Sequence, residues 1–198
     1  MTDHLFLSIW LDPQSRAVRL RHFEELLCLF PFSPREQPQS VVSIHAIDTT
    51  EPPLLERPVN GPIDLSEVVS IFDDHQGDDV AYRLESWWEL WQFEEDWKLA
   101  PAAVALSCFG PEFDNGTDEE ASEQEDLRIE FGVDSNYLPP IDVPGSARLI
   151  ESNIKSLLRL VHDIESSLPV IKRKLETESG GNFADRLQEV LTPIGSVQ

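Results

Sequence analysis

Cysteine is nearly absent from this chain. Its two cysteines, Cys28 and Cys108, lie far apart with no C-x-x-C arrangement. That excludes a disulfide scaffold and a zinc ribbon, and it fits a reducing compartment. Basic residues are scarce too: 15 Lys and Arg stand against 37 Asp and Glu, for a net charge of −22. The usual cationic footprint of nucleic-acid binding is missing, and docking on an anionic membrane is disfavoured. Long apolar runs are lacking. The cleanest one, residues 100–110, is about half of the roughly 20 residues a membrane helix needs, and Pro101 interrupts it. Residues 1–4 carry no Lys or Arg, and the apolar run at 5–11 is broken by Ser8 and stopped by Asp12-Pro13. No secretory signal is therefore expected, and a cytoplasmic location is the default.

Signature motifs are also wanting. Neither G-x-G-x-x-G nor G-x-x-x-x-G-K occurs, and G-x-S-x-G and H-E-x-x-H are absent. An EF-hand fails because Asp114-Asn115-Gly116 does not place glycine at the sixth loop position. What is present is ordinary in bulk: 198 residues, 40% hydrophobic. A chain of that length can bury a substantial core and is expected to form one domain.

The negative charge is concentrated. Residues 64–134 hold 21 of the acidic residues and three basic ones, Arg83, Lys98 and Arg128. The densest run, 114–126 (DNGTDEEASEQED), has no base and little to bury, so it reads as a solvated loop or as a surface for a basic partner.

Alternation of apolar and polar residues predicts strands at 4–11, 40–49 and 126–134. A run apolar on both faces predicts a central strand at 99–110. Residues 80–93 (VAYRLESWWELWQF) fit both a helical and a strand template, and aromatic enrichment favours the strand. Helices are predicted at 13–30, opened by Asp12-Pro13, and at 64–73, capped by Asp64. The prolines of 51–63 imply a long loop or an extended edge segment. Ile150, Ile154, Leu157, Val161, Ile164, Leu168, Ile171 and Leu175 step by fours and threes, predicting a helix over 146–178 with a kink or break at Pro169.

The expected fold is α+β: a mainly antiparallel sheet of about five strands, helices packed on it, and a long, Pro-kinked C-terminal helix. Residues 1–140 form the α+β domain with the acidic loop 114–126. Residues 141–198 form a helical segment that packs on the same domain or makes a homodimer contact through 150–175. The first strand, helix and second strand are expected to form a crossover between parallel strands.

Three groups of residues are candidates for function. Asp73, Asp74, His75, Asp78 and Asp79 put four carboxylates and an imidazole into one short loop, the oxygen-rich pattern of a divalent-cation site. His4, His45 and Asp48 would make a metal or acid–base site if their strands were neighbours. On a strand at 80–93, Glu85, Trp87, Glu89 and Trp91 share one face, and large aromatics among charges suit a ligand or partner surface unless a helix covers them.

These features lead to the expectation of a non-enzymatic cytoplasmic interaction protein with a basic protein partner. The alternative is a metal-dependent hydrolase or small-ligand-binding protein using the loop 73–79. No catalytic residue, cofactor, nucleic acid or membrane is expected.

Overall fold

The computed structural model describes residues 3–35, 38–116, 124–138, 145–178 and Phe183. Among the described residues ten strands and α-helices follow one another: β1 (His4–Leu11), α1 (Arg19–Leu29), β2 (Ser40–Ala46), β3 (Leu55–Val59), α2 (Leu65–Asp73), β4 (Val80–Phe93), β5 (Trp97–Phe109), β6 (Leu127–Val133), α3 (Ser146–Ser167) and β7 (Val170–Thr177). The seven strands form one sheet in the order β3-β2-β4-β5-β6-β1-β7, and every strand pairing is antiparallel. The three helices pack on one face of it.

This corrects the expected fold in two respects. The sheet has seven strands, not five, and the C-terminal helix ends at Ser167 instead of running on to residue 178. Pro169 is the physical reason for the second. It cannot donate to a helical carbonyl, and the residue before it is pushed to extended backbone. Leu168 has φ −104° and ψ 152°, and the chain then pairs with β1 from Val170 onward. The residues at 55–59 form an edge strand despite Pro58, because an edge position spares that residue a ladder donor.

β1 and β2 run in the same sense, as a crossover requires, but β4, β5 and β6 lie between them. The segment before α1 is a 3-10 helix over Pro13–Val18, started by Asp12, whose Oδ1 accepts from the Gln14 N–H at 2.8 Å. Asp64 caps α2 in the same way, accepting from Ser66 N at 3.0 Å.

The helix-facing side of the sheet is the core. Val80, Tyr82, Leu84, Trp88 and Leu90 of β4 are all buried there. Phe72 of α2 meets Tyr82 at 5.1 Å between ring centroids, and Phe30, just after α1, meets Trp88 at 5.5 Å. From α3, Ile150, Ile154, Leu157, Leu160, Val161 and Ile164 are buried against this core, so the apolar seam of that helix is used within the chain. The last two members of the expected seam lie on β7 instead, with Ile171 55% exposed. No helix among the described residues is long and apolar enough to cross a membrane.

Candidate functional groove

Among the described residues no helix covers the opposite side of the sheet, and strand register dictates what it presents. Side chains alternate across a strand, so the odd-numbered residues of β4 share this face. One row across the sheet runs Val41, Glu85, Ala105, Glu130, Phe6 and Glu176. The next runs Ser43, Arg83, Ser107, Arg128, Ser8 and Lys174. Beyond the first row, Trp87 stands opposite Ala103, Glu89 opposite Pro101 and Trp91 opposite Leu99.

Small residues on β5 hollow this surface into a groove. Ala103, Ala105 and Ser107 make the floor, with β4 side chains rising on one side and those of β6 on the other. Gly132 continues the floor: a Cβ there would stand 2.9 Å from the Ala103 carbonyl, and its φ of +72° is the left-handed region that favours glycine. Two concavities adjoin along the groove. One, of about 370 Å³, lies between Trp87 and His4 over Ala103 and Ala105. The other, of about 320 Å³, is bounded by His45, Glu56, Phe109, Phe113 and Arg128. Arg83, Glu85 and Glu130 border both. No described residue of α1, α2 or α3 lines either one.

The shared border is an ion-paired ridge. Arg83 Nη1 donates to Glu130 at 2.6 Å, its Nη2 to the same carboxylate at 3.1 Å, and its Nε to Glu85 at 3.0 Å. Burial by itself would push the Glu130 carboxyl up, but the Arg83 hydrogen bonds and charge carry it below the ordinary glutamate value. Arg128 pairs with Glu125, which is almost fully buried, and its guanidinium lies over the rings of Phe6 and Phe109 at 5.6 and 5.4 Å. Here burial prevails, and the Glu125 carboxyl is raised despite Arg128.

β4 and β5 extend beyond their neighbours as a long hairpin that carries Trp87 and Trp91. Two devices steady it. Ser33 N donates to the Trp87 carbonyl at 2.8 Å, and its hydroxyl to Glu89 at 2.6 Å, while Arg35 Nε reaches the same carboxylate at 2.9 Å. On α3, the Asn153 amide acts in place of a neighbouring strand: Oδ1 accepts from Trp91 N at 2.9 Å and Nδ2 donates to Trp91 O at 2.8 Å. At the tip, Glu94, Glu95 and Asp96 are exposed, and no ion pair answers them among the described residues.

The sequence-derived candidates fare differently. Glu85, Trp87, Glu89 and Trp91 do share the helix-free face. The residues of 73–79 do not gather round a common point. Asp73 accepts from Gln76 at 3.1 Å, His75 Nδ1 meets the Ile71 carbonyl at 2.9 Å, and Asp79 takes part through its backbone carbonyl, which accepts from Ile47 N. Asp73 and Asp78 border a separate cavity lined by Arg19 and Arg21, with the Arg19 guanidinium 3.4 Å from Asp78 and 2.8 Å from the Gly77 carbonyl. Asp74 does not border that cavity. His4 and His45 sit on β1 and β2, four strand steps or roughly 19 Å apart across the sheet at about 4.8 Å per step, and the register sets them further apart along the strands as well. Asp48 bonds Thr50 and Glu51 in its own turn, and those hydrogen bonds hold its carboxyl below the ordinary range. Among the described residues, no three His, Cys, Asp or Glu side chains are grouped as a bound metal ion needs.

The acidic loop falls partly outside the described residues, which omit 117–123. Its two ends are anchored. Asn115, Glu125 and Asp126 are buried, and Asp126 Oδ2 accepts from Leu11 N at 2.8 Å. Phe109, Phe113, Arg128 and Glu130 escaped sequence reasoning, and His45 was read toward a different site, because only the strand order brings β2, β5 and β6 to one groove. The alternation of Arg128 and Glu130 on β6 was the one available signal, since it marks a strand with a polar outer face. Comparison with protein-family models, with curated proteins and with solved structures finds no match for this chain.

Proposed function

We propose that this chain is a non-enzymatic interaction protein that docks a basic protein on the helix-free face of its sheet. The observation that carries this reading is the groove along β5, floored by Ala103, Ala105 and Ser107 and bordered by Trp87, Glu85 and Glu130. It opens toward a hairpin tip whose Glu94, Glu95 and Asp96 are exposed and have no ion pair among the described residues. Alternating tryptophan and glutamate side chains offer ring faces and carboxylates to lysine or arginine. A net charge of −22 would speed association with a cationic partner and repel anionic ones.

The test compares variants of equal charge. Glu85→Lys with Glu89→Lys alters the groove, whereas Glu151→Lys with Asp163→Lys makes the same change on α3. Wild type and the α3 variant should retain basic proteins from a lysate in a salt-sensitive way, and the groove variant should lose them. Equal loss in both variants, or none in either, would refute a face-specific surface.

A further inference from the structure

Of the two concavities, the one at the His45 end is built to receive a single charged group. Its end wall is held by backbone. Asp114 N donates to the Ile47 carbonyl at 2.8 Å, Glu112 N to Asp78 O at 2.9 Å, and Gly110 N to Val80 O at 2.8 Å. Phe109 and Phe113 stack in that wall with centroids 5.9 Å apart and planes 25° from parallel. Its volume of about 320 Å³ lies at the low end of small-ligand sites, which run from roughly 300 to 1,000 Å³. That suits a side chain better than a large cofactor.

The sign of the charge follows from what is already matched. Arg83 is held by Glu85, Glu130 and the Ser107 hydroxyl. Arg128 is matched by buried Glu125 and lies against two rings. Both cations lining the cavity are thus answered by carboxylates. Glu56 is exposed at the rim and has no partner among the described residues. His45 Nδ1 is buried and also lacks a hydrogen-bond partner there. An unmatched carboxylate at the rim of a cavity lined by an imidazole and two phenyl rings is the complement of a planar cation.

We infer that this cavity is the pocket for an arginine side chain of the basic partner, with Glu56 as its counter-ion and with the His45 ring and Phe113 lining it. The inference rests on the docking reading and names the group that reading lacks.

The test titrates the full chain with N-acetyl-arginine amide and with the isosteric, neutral N-acetyl-citrulline amide at constant ionic strength, following the His45 ring and Phe113 signals by NMR. Arginine should shift both signals at millimolar concentration and citrulline should not. Glu56→Gln should weaken arginine binding about tenfold, the scale of one charge-assisted contact, while Glu178→Gln, the same change at an exposed site outside both concavities, should not change it. Equal responses to arginine and citrulline, no response, or an undiminished response in Glu56→Gln would overturn the pocket. The two readings fail separately. A groove variant that loses basic proteins while arginine leaves His45 undisturbed removes the pocket and keeps the docking face. Arginine binding with unaltered capture by the groove variant removes the docking face as drawn.

Discussion

Burial pushes the Glu125 carboxyl above its ordinary value, and Arg128 with the Ser8 hydroxyl recovers only part of that. Such a group binds its proton more tightly folded than unfolded. Its ionised form costs stability at neutral pH, and the cost is relieved as pH falls through the raised value. Glu130 is buried too, but the hydrogen bonds and charge of Arg83 carry it below its ordinary value. Its ionised form contributes stability that is present above the ordinary value and lost as pH falls through the lowered one. Urea denaturation from neutral pH down to about pH 3 should therefore separate the two variants. Glu130→Gln should start less stable than wild type and close the gap in acid. Against Glu125→Gln, wild type should gain as the pH falls. Parallel trends in the two series would contradict this assignment. Tyr137 is a second residue whose burial is incompletely answered. Its ring packs on Phe131 and Phe183, its hydroxyl has no partner among the described residues, and burial raises its pKa. Tyr137→Phe keeps the ring and removes the unmet donor, so stability should hold or rise by about 1 kcal/mol, while Tyr137→Ala should lose about 3–5 kcal/mol in the same assay. A loss on Tyr137→Phe would reveal a hydroxyl contact.

Among the elements, the β4–β5 hairpin depends most on borrowed support. Past Glu85 its ladder with β2 ends, only the Ser40–Ser86 hydroxyl pair joining them just beyond, and the Asn153 amide supplies both hydrogen bonds that a strand would give Trp91. Asn153→Ala should cost about 1–3 kcal/mol in thermal or urea unfolding and speed amide exchange at Trp91 above its rate in wild type. Unchanged exchange there would show that the hairpin holds itself. Gly110 is the corresponding constraint at the other end of the groove. A Cβ there would lie 2.1 Å from the Asp78 carbonyl oxygen, whereas one at Gly61, with φ +75°, meets nothing within 4 Å. Gly110→Ala should therefore cost clearly more than Gly61→Ala, for which the strain of a left-handed residue is roughly 1–2 kcal/mol. How far these elements could be read from sequence depends on periodicity. The strand at 80–93 is legible because its aromatics alternate with charges. β7 is not, because Ile171 and Leu175 stand four apart, a spacing that keeps two residues on one side of a strand as well as on one side of a helix. Leu175 packs on the helix-side core and Arg173 pairs with Glu165 of α3, while Ile171 is exposed at the register shift and Lys172 lies over the Trp10 ring. Pro169 was the residue that decided between the two, and a break is what it imposed.

At the scale of the whole molecule, the candidate site is a product of strand order, which no local pattern encodes. Glu85, Trp87, Glu89 and Trp91 could be placed on one face from β4 alone. That His45 of β2 and Arg128 of β6 flank the same groove follows only once the order β3-β2-β4-β5-β6-β1-β7 is known. Charge acts at this scale as well. With 37 acidic and 15 basic residues, the folded chain gathers like charges that the unfolded chain spreads out, and that self-repulsion opposes folding. Salt shortens its reach, from about 30 Å at 0.01 M to about 3 Å at 1 M. Raising sodium chloride across that range should therefore raise the melting temperature, at roughly 2–4 °C for each kcal/mol of repulsion removed. The same salt should weaken capture of a basic partner, because there the screened interaction is an attraction. Stability and binding thus move in opposite directions under one variable. Neutralising the hairpin tip, Glu94→Gln with Glu95→Gln and Asp96→Asn, should shrink both responses together, since those three carboxylates contribute to the repulsion and to the attraction alike. Binding that loses its salt dependence in this variant while melting keeps all of its own would show that the tip serves the partner and hardly strains the fold.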